Sequence, residues 1–171
     1  MEGWNFDWVD TDLAVGGSFS CDAAPALARE HGIGAVVDLR SETCDDPAAL
    51  AAAGLRFLHL PTPDMEGVTQ PMLEAGVAFA REARAAGRKL LIHCEHGIGR
   101  SATLALCVLV DRGAAPIEAL SRAKDARSLV SPSEAQYAAW VDWIRRHAPE
   151  ARIPSFHEFG MIAYRHLAAT A

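Results

Sequence analysis

The sequence predicts an α/β fold in which a central, mostly parallel sheet of four or five strands is flanked by helices. Three short apolar runs, at residues 35–39, 57–60 and 89–93, have the length of buried strands. Helix-like stretches separate these runs, and such an alternation of strands and helices is typical of parallel sheets. Ligands bind at the carboxyl ends of the strands in these sheets, so we expect the functional residues to follow those ends.

Turn and capping residues set the order of the predicted elements. Proline at a helix start and glycine just past its end are strong signals, and Ser131 with Glu134 three residues on has the spacing of a capping box. The first half predicts an edge strand at 13–15, a helix at 22–31, the strand at 35–39, a short helix from Asp46 to Gly54, the strand at 57–60, a loop at 61–69 and a helix at 71–86. The second half predicts the strand at 89–93, a glycine-bearing turn, a helix through Val110 and helices at 116–127, 132–147 and 155–167.

Length and composition indicate one globular domain over residues 1–171. The longest apolar run, at 102–110, is too short to span a bilayer, so we expect no membrane partner. The formal net charge of −6 argues against nucleic acid as a partner, because phosphate backbones need a basic face. A small phosphorylated substrate stays open, since one local positive pocket is enough to bind it.

The cysteines indicate a reducing compartment. The chain has Cys21, Cys44, Cys94 and Cys107, with no CxxC pairing and with a polar, aromatic N-terminus unlike a secretory signal. We therefore predict reduced thiols and a cytoplasmic protein. Cys107 lies on an apolar helix and is expected in the core.

The residues best suited to catalysis follow one another at the end of the predicted strand at 89–93. His93 and Cys94 close the strand, and the residues that lead into the next helix are Glu95, His96, Gly97, Ile98, Gly99, Arg100 and Ser101. A glycine-bearing turn can point its backbone N–H groups inward, and the helix N-terminus beyond it attracts anions. These surroundings favour the thiolate of Cys94, while the planar fork of Arg100 can hold two oxygens of a phosphate. The segment therefore predicts a phosphate-binding loop with a nucleophile, and Ser101 can donate a hydrogen bond to the departing sulfur.

A second loop predicts the proton donor. Asp64 lies in a proline-rich loop directly after the strand at 57–60, so it can reach the same edge of the sheet. A mobile loop that closes over the substrate is a common place for a general acid. Two alternatives stay open, namely that Asp64 only forms the turn beside Pro63 and that Glu66 is the acid.

The run His93-Cys94-x5-Arg100-Ser101 resembles the signature of the protein tyrosine phosphatase superfamily. The length of the chain is similar to the compact dual-specificity branch, and the likeness extends over about residues 10–147. Residues 36–40 look like a strand of that family, and Asp64 falls where the family has its general-acid loop. The resemblance implies a dual-specificity-phosphatase-like fold, a phosphocysteine intermediate and no metal or organic cofactor.

Further residues are predicted to take supporting roles. Gln136 lies in a segment similar to one where relatives place a glutamine that orients the hydrolytic water, and an ordinary helix residue is the alternative. His93 is expected to hold Cys94 through a hydrogen bond to the loop, while His96 faces either the pocket rim or solvent. Some relatives keep a cysteine that protects the nucleophile in a disulfide, and Cys44 is either that partner or inert.

These observations predict a phosphomonoesterase for phosphotyrosine, and also for phosphoserine and phosphothreonine. The substrate is then a phosphorylated protein or a small phosphomonoester. The loop has no lysine, and Glu95 would repel a polyanionic lipid or inositol polyphosphate. Alternatives are a phosphatase of a small metabolite, an inositol phosphate or an RNA 5′ end, a sulfurtransferase or arsenate reductase, and a non-catalytic phosphate-binding module. The sequence leaves the oligomeric state open.

Overall fold

The computed structural model describes residues 3–168 of the chain. Its strands are β1 (Phe6–Asp10), β2 (Leu13–Gly16), β3 (Ile33–Arg40), β4 (Arg56–Thr62) and β5 (Lys89–His93). Its helices are α1 (Ala24–His31), α2 (Pro47–Ala52), α3 (Gln70–Ala85), α4 (Arg100–Asp111), α5 (Pro116–Ala126), α6 (Glu134–His147), α7 (Phe156–Ala163) and α8 (Arg165–Ala168), with a 3-10 turn at Cys21–Ala23 before α1. None of the helices in this described part is long and apolar enough to cross a bilayer.

The strands form one sheet in the order β1-β2-β5-β3-β4. Only the β1–β2 pair is antiparallel, so the prediction of a mostly parallel sheet of four or five strands is confirmed. The prediction that residues 13–15 form an edge strand is wrong, because β1 pairs along the outer side of β2. Sequence reasoning missed β1, where aspartates interrupt a short aromatic stretch that gives no clear strand pattern.

Alternate residues of the central strands face two hydrophobic clusters. Val36 and Leu91 pack in the cluster that α1 and α2 cover, while Val37 and Ile92 pack in the larger cluster that α3 to α7 cover. Burial on both faces explains the continuous apolar runs of β3 and β5. Each fully buried aliphatic side chain of this kind contributes about 1.5–3 kcal/mol relative to exposure.

The capping box that starts α6 lies two residues beyond the predicted one. Ser133 is the N-cap, its hydroxyl accepts from the Gln136 amide, and the Gln136 side chain accepts from the Ser133 amide. The prediction of Ser131 as cap is wrong, because the Ser131 amide donates instead to the carbonyl of Ile98 in the loop after β5. This register places the Gln136 side chain beside that loop.

The C-terminal segment forms two helices rather than the single predicted one. A capping box of Ser155 and Glu158 starts α7. The helix is interrupted at Tyr164, and α8 begins at the next residue. The Tyr164 hydroxyl donates to the carbonyl of Pro132, which ties the segment to the start of α6. Phe159 is fully buried in the larger cluster, as its helical spacing predicts.

The carboxyl ends of three parallel strands lie at one edge of the sheet. His93 ends β5, Arg40 ends β3 and Thr62 ends β4. The loops that begin there at residues 41, 63 and 94 therefore meet at this edge, as expected for a sheet of this type.

Candidate active site

Cys94 lies at the start of the loop that joins β5 to α4. Its side chain is buried, with 3% of the residue exposed. The amide of Gly97 donates to the Cys94 sulfur over 3.3 Å, and the Ser101 hydroxyl oxygen lies 3.3 Å from the same sulfur. The first turn of α4 begins at Arg100, so a helix N-terminus faces the same space. These donors stabilise negative charge on sulfur and on any anion in the loop.

Two glycines of the loop are required by close contacts. Gly97 has a φ of +69°, and a Cβ there would lie 2.4 Å from the carbonyl carbon of Gly16. A Cβ on Gly99 would lie 2.3 Å from the Gln136 side-chain oxygen. The loop is therefore pressed between β2 on one side and α6 on the other, which fixes its curvature.

Arg100 is buried and is held from outside the loop by Glu42. Its Nη1 and Nη2 atoms donate to the two Glu42 carboxylate oxygens, both over 2.8 Å, and Nη1 also donates to the Thr62 carbonyl over 2.9 Å. The hydrogen bond from Arg100 lowers the pKa of Glu42 to about 2, and the same contact raises the pKa of Arg100. Sequence reasoning missed Glu42, because it contacts Arg100 only through the fold.

The Nε edge of Arg100 is left for a ligand. Within residues 3–168 this buried nitrogen has no hydrogen-bond partner. A buried N–H without a partner is costly, so the atom is expected to bind something in the functional state.

Asp64 lies at the mouth of the same site. Its side chain is 67% exposed, and its Oδ1 atom lies 3.7 Å from the Nε atom of Arg100. The next residue, Met65, has a φ of +66°, unusual for a residue with a side chain, and its carbonyl accepts a 2.7 Å hydrogen bond from the Ser133 hydroxyl. The fold thus brings Asp64 to Arg100, as the sequence predicts, and anchors its loop on α6.

Gln136 is fully buried beside the loop, with 1% of the residue exposed. Its oxygen completes the capping box, while its Nε2 atom has no hydrogen-bond partner within the described chain. The residue also lines the pocket that contains Cys94 and Asp64. Gln136 therefore presents an unused donor to the pocket, which an ordinary surface residue of a helix would not do.

The pocket has a volume of about 100 Å³. It is lined by Asp64, Met65, Cys94, His96, Ile98, Gly99, Arg100, Ser131 and Gln136. His96 is exposed and lines this pocket, so it faces both the rim and solvent. The predicted substrate-binding residues Glu95 and Gly97 lie outside the lining, because the Glu95 carboxylate accepts from Arg40 and Gly97 is packed on β2.

His93 supports the loop from below. Its Nδ1 atom lies 3.2 Å from the Cys94 carbonyl oxygen, and its Nε2 atom lies 2.6 Å from the Asp45 carboxylate. Both ring nitrogens thus lie within hydrogen-bond distance of acceptor oxygens, one in the loop and one on Asp45. His93 thus makes the loop hydrogen bond that the sequence predicts, and Asp45 is a partner that sequence reasoning missed.

A buried ion network lies next to His93. Arg40 donates to Asp38 and to Asp45, each over 3.0 Å, and to Glu95 over 3.2 Å. Burial opposes ionisation of Asp38, but hydrogen bonds from Arg40 outweigh it and hold the pKa of Asp38 below its ordinary value. Oxygen and nitrogen atoms of Asp38, Asp45 and His93 lie within 4.8 Å of one another, close enough to ligate a metal. The guanidinium of Arg40 already supplies the positive charge between the two carboxylates.

Arg127 braces the loop from the side opposite α6. Its Nε atom donates to the Gly97 carbonyl over 2.8 Å, and Nη2 donates to the His96 carbonyl over 2.9 Å. Asp7 and Asn5 fix the guanidinium in turn. Arg127 thus occupies the carbonyls of His96 and Gly97, while the N–H group of Gly97 donates to the Cys94 sulfur. No local sequence pattern around Arg127 indicates this role.

A larger pocket of about 360 Å³ lies between α3 and α4, away from Cys94. Its arginines are paired with aspartates: Arg81 with Asp111, Arg84 with Asp12, and Arg112 with Asp10 and Asp12. These pairs neutralise the guanidinium groups, so the pocket lacks free charge for an anion.

A comparison with known protein families shows the family to which the chain belongs. The family model described as "Polymorphic toxin system, DSP-PTPase phosphatase" matches residues 18–114, which include Cys94 and Arg100. This chain belongs to the DSP-PTPase phosphatase family. The resemblance to the dual-specificity-like branch of the protein tyrosine phosphatases is thereby confirmed.

Two individual relatives of this chain are also named as phosphatases. Dual specificity protein phosphatase 12 of Mus musculus is 33% identical over 136 residues, covering 79% of this chain and 38% of the relative. Phosphatidylglycerophosphatase and protein-tyrosine phosphatase 1 of Mus musculus is 29% identical over 135 residues, covering 73% of this chain and 70% of the relative. The chain thus spans less than two-fifths of the length of the dual specificity phosphatases that it matches first.

Solved structures show the same fold. Tk-PTP in its active form has a TM-score of 0.76 at 26% identity, covering 83% of this chain and 97% of that protein. PTPMT1 in complex with PI(5)P has a TM-score of 0.79 at 22% identity, covering 86% of this chain and 99% of that protein. The predicted dual-specificity-phosphatase-like fold is confirmed by these neighbours.

Proposed function

We propose that this chain is a cysteine-dependent phosphomonoesterase that hydrolyses phosphotyrosine, and also phosphoserine and phosphothreonine, through a phosphocysteine intermediate. The observation that carries the proposal is the shared pocket. Cys94, Arg100 and Asp64 all line it, and the Nε of Arg100 has no hydrogen-bond partner among residues 3–168. Nucleophile, anion clamp and proton donor are the three parts that phosphoryl transfer to a thiol requires.

In the first step the phosphoryl group moves from the substrate to Cys94. The thiolate attacks phosphorus, the S–P bond forms and the bond from phosphorus to the leaving oxygen breaks. Arg100 and the inward loop N–H groups hold the equatorial oxygens as charge develops. Asp64, protonated, donates its proton to the leaving oxygen, which departs as the free hydroxyl group.

In the second step water releases phosphate. A water molecule attacks phosphorus and gives its proton to the Asp64 carboxylate, which was left by the first step. The S–P bond breaks, inorganic phosphate forms and the Cys94 thiolate returns. Ser101 can donate to the departing sulfur across the 3.3 Å contact. Gln136 is proposed to orient the water, since its unpartnered Nε2 atom lines the same pocket.

A small phosphomonoester is the second candidate substrate. One relative carries both phosphatidylglycerophosphatase and protein-tyrosine phosphatase in its name. A relative is thus named for a phosphomonoester that is not a protein as well as for phosphotyrosine in proteins. We propose a phosphorylated protein as the first substrate class. The proposal further takes residues 1–171 as one catalytic domain in the cytoplasm, where the four unpaired cysteines stay reduced.

The test is hydrolysis of p-nitrophenyl phosphate in buffer with a metal chelator. We expect turnover by the wild type and none by Cys94→Ser, since a serine hydroxyl is a much weaker nucleophile at neutral pH. Ser41→Ala, on an exposed loop residue, is the matched control. Turnover by Cys94→Ser at the wild-type rate would overturn the proposal, as would an active wild type that the chelator silences.

A further inference from the structure

We propose that the substrate is a phosphotyrosine whose neighbouring residues are neutral or basic, and that acidic neighbours are rejected. This inference rests on the proposed phosphatase function and adds to it the charge of the substrate around the phosphoryl group. Three parts of the pocket carry it, namely a polar floor, an apolar wall and an acidic mouth.

The polar floor holds the phosphoryl group. Two buried donors in the pocket lining, the Nε of Arg100 and the Nε2 of Gln136, have no hydrogen-bond partner among residues 3–168. The Nε of Arg100 and the N-terminus of α4 supply donors to an anion beside Cys94, while the Nε2 of Gln136 is left for the hydrolytic water. The bound phosphoryl group takes up the positive charge of Arg100, so the floor leaves no positive charge for the rest of the substrate.

The apolar wall suits the ring of tyrosine. Met65 is 64% exposed and lines the pocket together with Ile98 of the loop. Leu129, two residues before the lining residue Ser131, is 47% exposed. Contact with an aromatic ring buries more of these exposed apolar side chains than contact with a phosphorylated alkyl chain does, so the ring is bound more favourably.

The acidic mouth consists of Asp64, which lines the pocket, and of Glu66 and Glu134, which lie on segments next to the lining. Glu66 directly follows Met65, and Glu134 directly follows Ser133, whose hydroxyl donates to the Met65 carbonyl over 2.7 Å. The two exposed glutamates therefore lie on segments that touch each other beside the pocket. In the described part of the chain, neither carboxylate forms an ion pair with a basic side chain.

Basic groups do not offset these carboxylates. Among the described residues that line the pocket, only Arg100 and His96 are basic, and Glu42 already takes two donors of Arg100. Asp64 adds a further exposed carboxylate at the rim. An acidic segment beside the phosphotyrosine would meet like charge at the mouth, whereas a lysine or arginine there would meet opposite charge.

The experiment compares two phosphotyrosine peptides of equal length, one with lysines on both sides of the phosphotyrosine and one with glutamates. We expect kcat/KM for the lysine peptide to exceed that for the glutamate peptide by about tenfold at low salt, as for a few exposed charge pairs. The ratio should approach one in about 0.5 M salt, where screening shortens charge interactions to a few ångströms.

The double variant Glu66→Gln/Glu134→Gln tests the assigned residues. We expect its peptide ratio to fall to within about twofold of one at low salt. Glu30→Gln is the matched control, because Glu30 is exposed on α1 at the amino-terminal edge of β3 and should keep the wild-type ratio. Thermal unfolding of each variant checks that the fold is intact.

Three outcomes would overturn the inference. Equal kcat/KM for both peptides, with p-nitrophenyl phosphate still hydrolysed, would refute the charge preference and leave the proposed function in place. Faster turnover of phosphatidylinositol phosphate in vesicles than of the lysine peptide would assign a polyanionic lipid instead. No turnover of either peptide or of p-nitrophenyl phosphate would overturn the proposed function together with the inference.

Discussion

Glu42 and Arg100 form a two-point ion pair, with Nη1 donating to Oε2 and Nη2 donating to Oε1 over 2.8 Å each. A bidentate contact of this kind fixes the plane of the guanidinium. The Thr62 carbonyl accepts a further hydrogen bond from Nη1, while the Nε atom has no hydrogen-bond partner within residues 3–168 and is left for a ligand. We therefore expect Glu42 to be a positioning residue for Arg100, the proposed phosphate clamp.

Replacing Glu42 by glutamine should weaken the clamp. Loss of the second contact lets the guanidinium tilt, and misplacement by about 1 Å can cost up to about 10²-fold in rate. Removing one exposed negative charge near a phosphate favours binding, but by less than about fivefold. We expect kcat/KM for p-nitrophenyl phosphate to fall by about tenfold or more, with weaker inhibition by inorganic phosphate. An unchanged inhibition constant would contradict this role, and Glu82→Gln on the exposed face of α3 is the control.

The same pair predicts a dependence of stability on acid. Arg100 lowers the pKa of Glu42 from 4.5 to about 2, so the folded protein binds that proton less tightly than the unfolded chain does. Stabilisation by Glu42 is therefore complete above pH 4.5 and is lost as the pH falls towards 2. Urea unfolding of wild type and Glu42→Gln should show a gap in free energy that closes over this interval. A difference in the free energy of unfolding that stays constant down to pH 2.5 would show that Arg100 does not lower the pKa of Glu42.

Asp64→Asn should slow turnover in a way that depends on the leaving group. A general acid matters most when the leaving oxygen is basic, and its loss costs about 10²–10⁴-fold in such cases. We expect a large loss of kcat with phenyl phosphate and a small one with p-nitrophenyl phosphate. Measuring both esters for Glu66→Gln decides between the two acids of this loop. A leaving-group effect in Glu66→Gln and none in Asp64→Asn would move the role to Glu66.

Two substitutions separate the roles of Gln136. Gln136→Glu keeps an oxygen for the capping box with Ser133 but removes the Nε2 donor that faces the pocket, whereas Gln136→Ala removes both. We expect both variants to slow hydrolysis of the intermediate, so a burst of p-nitrophenol should precede a slower steady state. The alanine variant should also lose about 1 kcal/mol of stability through the lost cap. Wild-type kinetics in both variants would leave Gln136 with a capping role alone.

Lys124 ties the C-terminal helices to the segment before α6. Its ammonium group lies within hydrogen-bond distance of the carbonyls of Ser128, Val130 and Ala163, at 2.6–2.8 Å, and 2.8 Å from the His166 ring. Burial, with a smaller effect of Arg165, lowers the pKa of Lys124 from 10.5 to about 8.

This pKa sets the sign of a second pH effect. Between about pH 8 and 10.5 the unfolded chain keeps the Lys124 proton while the folded protein loses it, so folding becomes more favourable as the pH rises. Below pH 8 both states are protonated and the contribution is constant. The free energy of unfolding of wild type should therefore rise relative to Lys124→Met across this interval. A difference that falls with rising pH would contradict the lowered pKa.

Local patterns in the sequence predict the geometry at the centre of the candidate site. Residues 89–100 are consecutive and contain the strand β5, Cys94, the two glycines of the loop and Arg100. Their geometry therefore follows from short-range rules. Asp64 follows from the rule that strand ends meet at one edge, and the structure brings it to within 3.7 Å of Arg100.

The supports of the site lie beyond such rules. Glu42, Asp45 and Arg127 contact the loop across 30 or more residues of chain, and no spacing pattern joins them to it. Similarly, the start of α6 is set by the contact of Ser131 with the loop, which competes with the capping role that its own neighbours favour. Tertiary contacts therefore decide these positions.

The most direct test of the account is to trap the phosphocysteine. Gln136→Ala is mixed with p-nitrophenyl phosphate, quenched in acid within the burst and measured by intact mass and peptide mapping. We predict the gain of one phosphoryl group on the peptide that contains Cys94, and no gain in the same protein with Cys94→Ser. Full turnover without a phosphorylated Cys94 peptide, or a phosphoryl group on another residue, would contradict the mechanism.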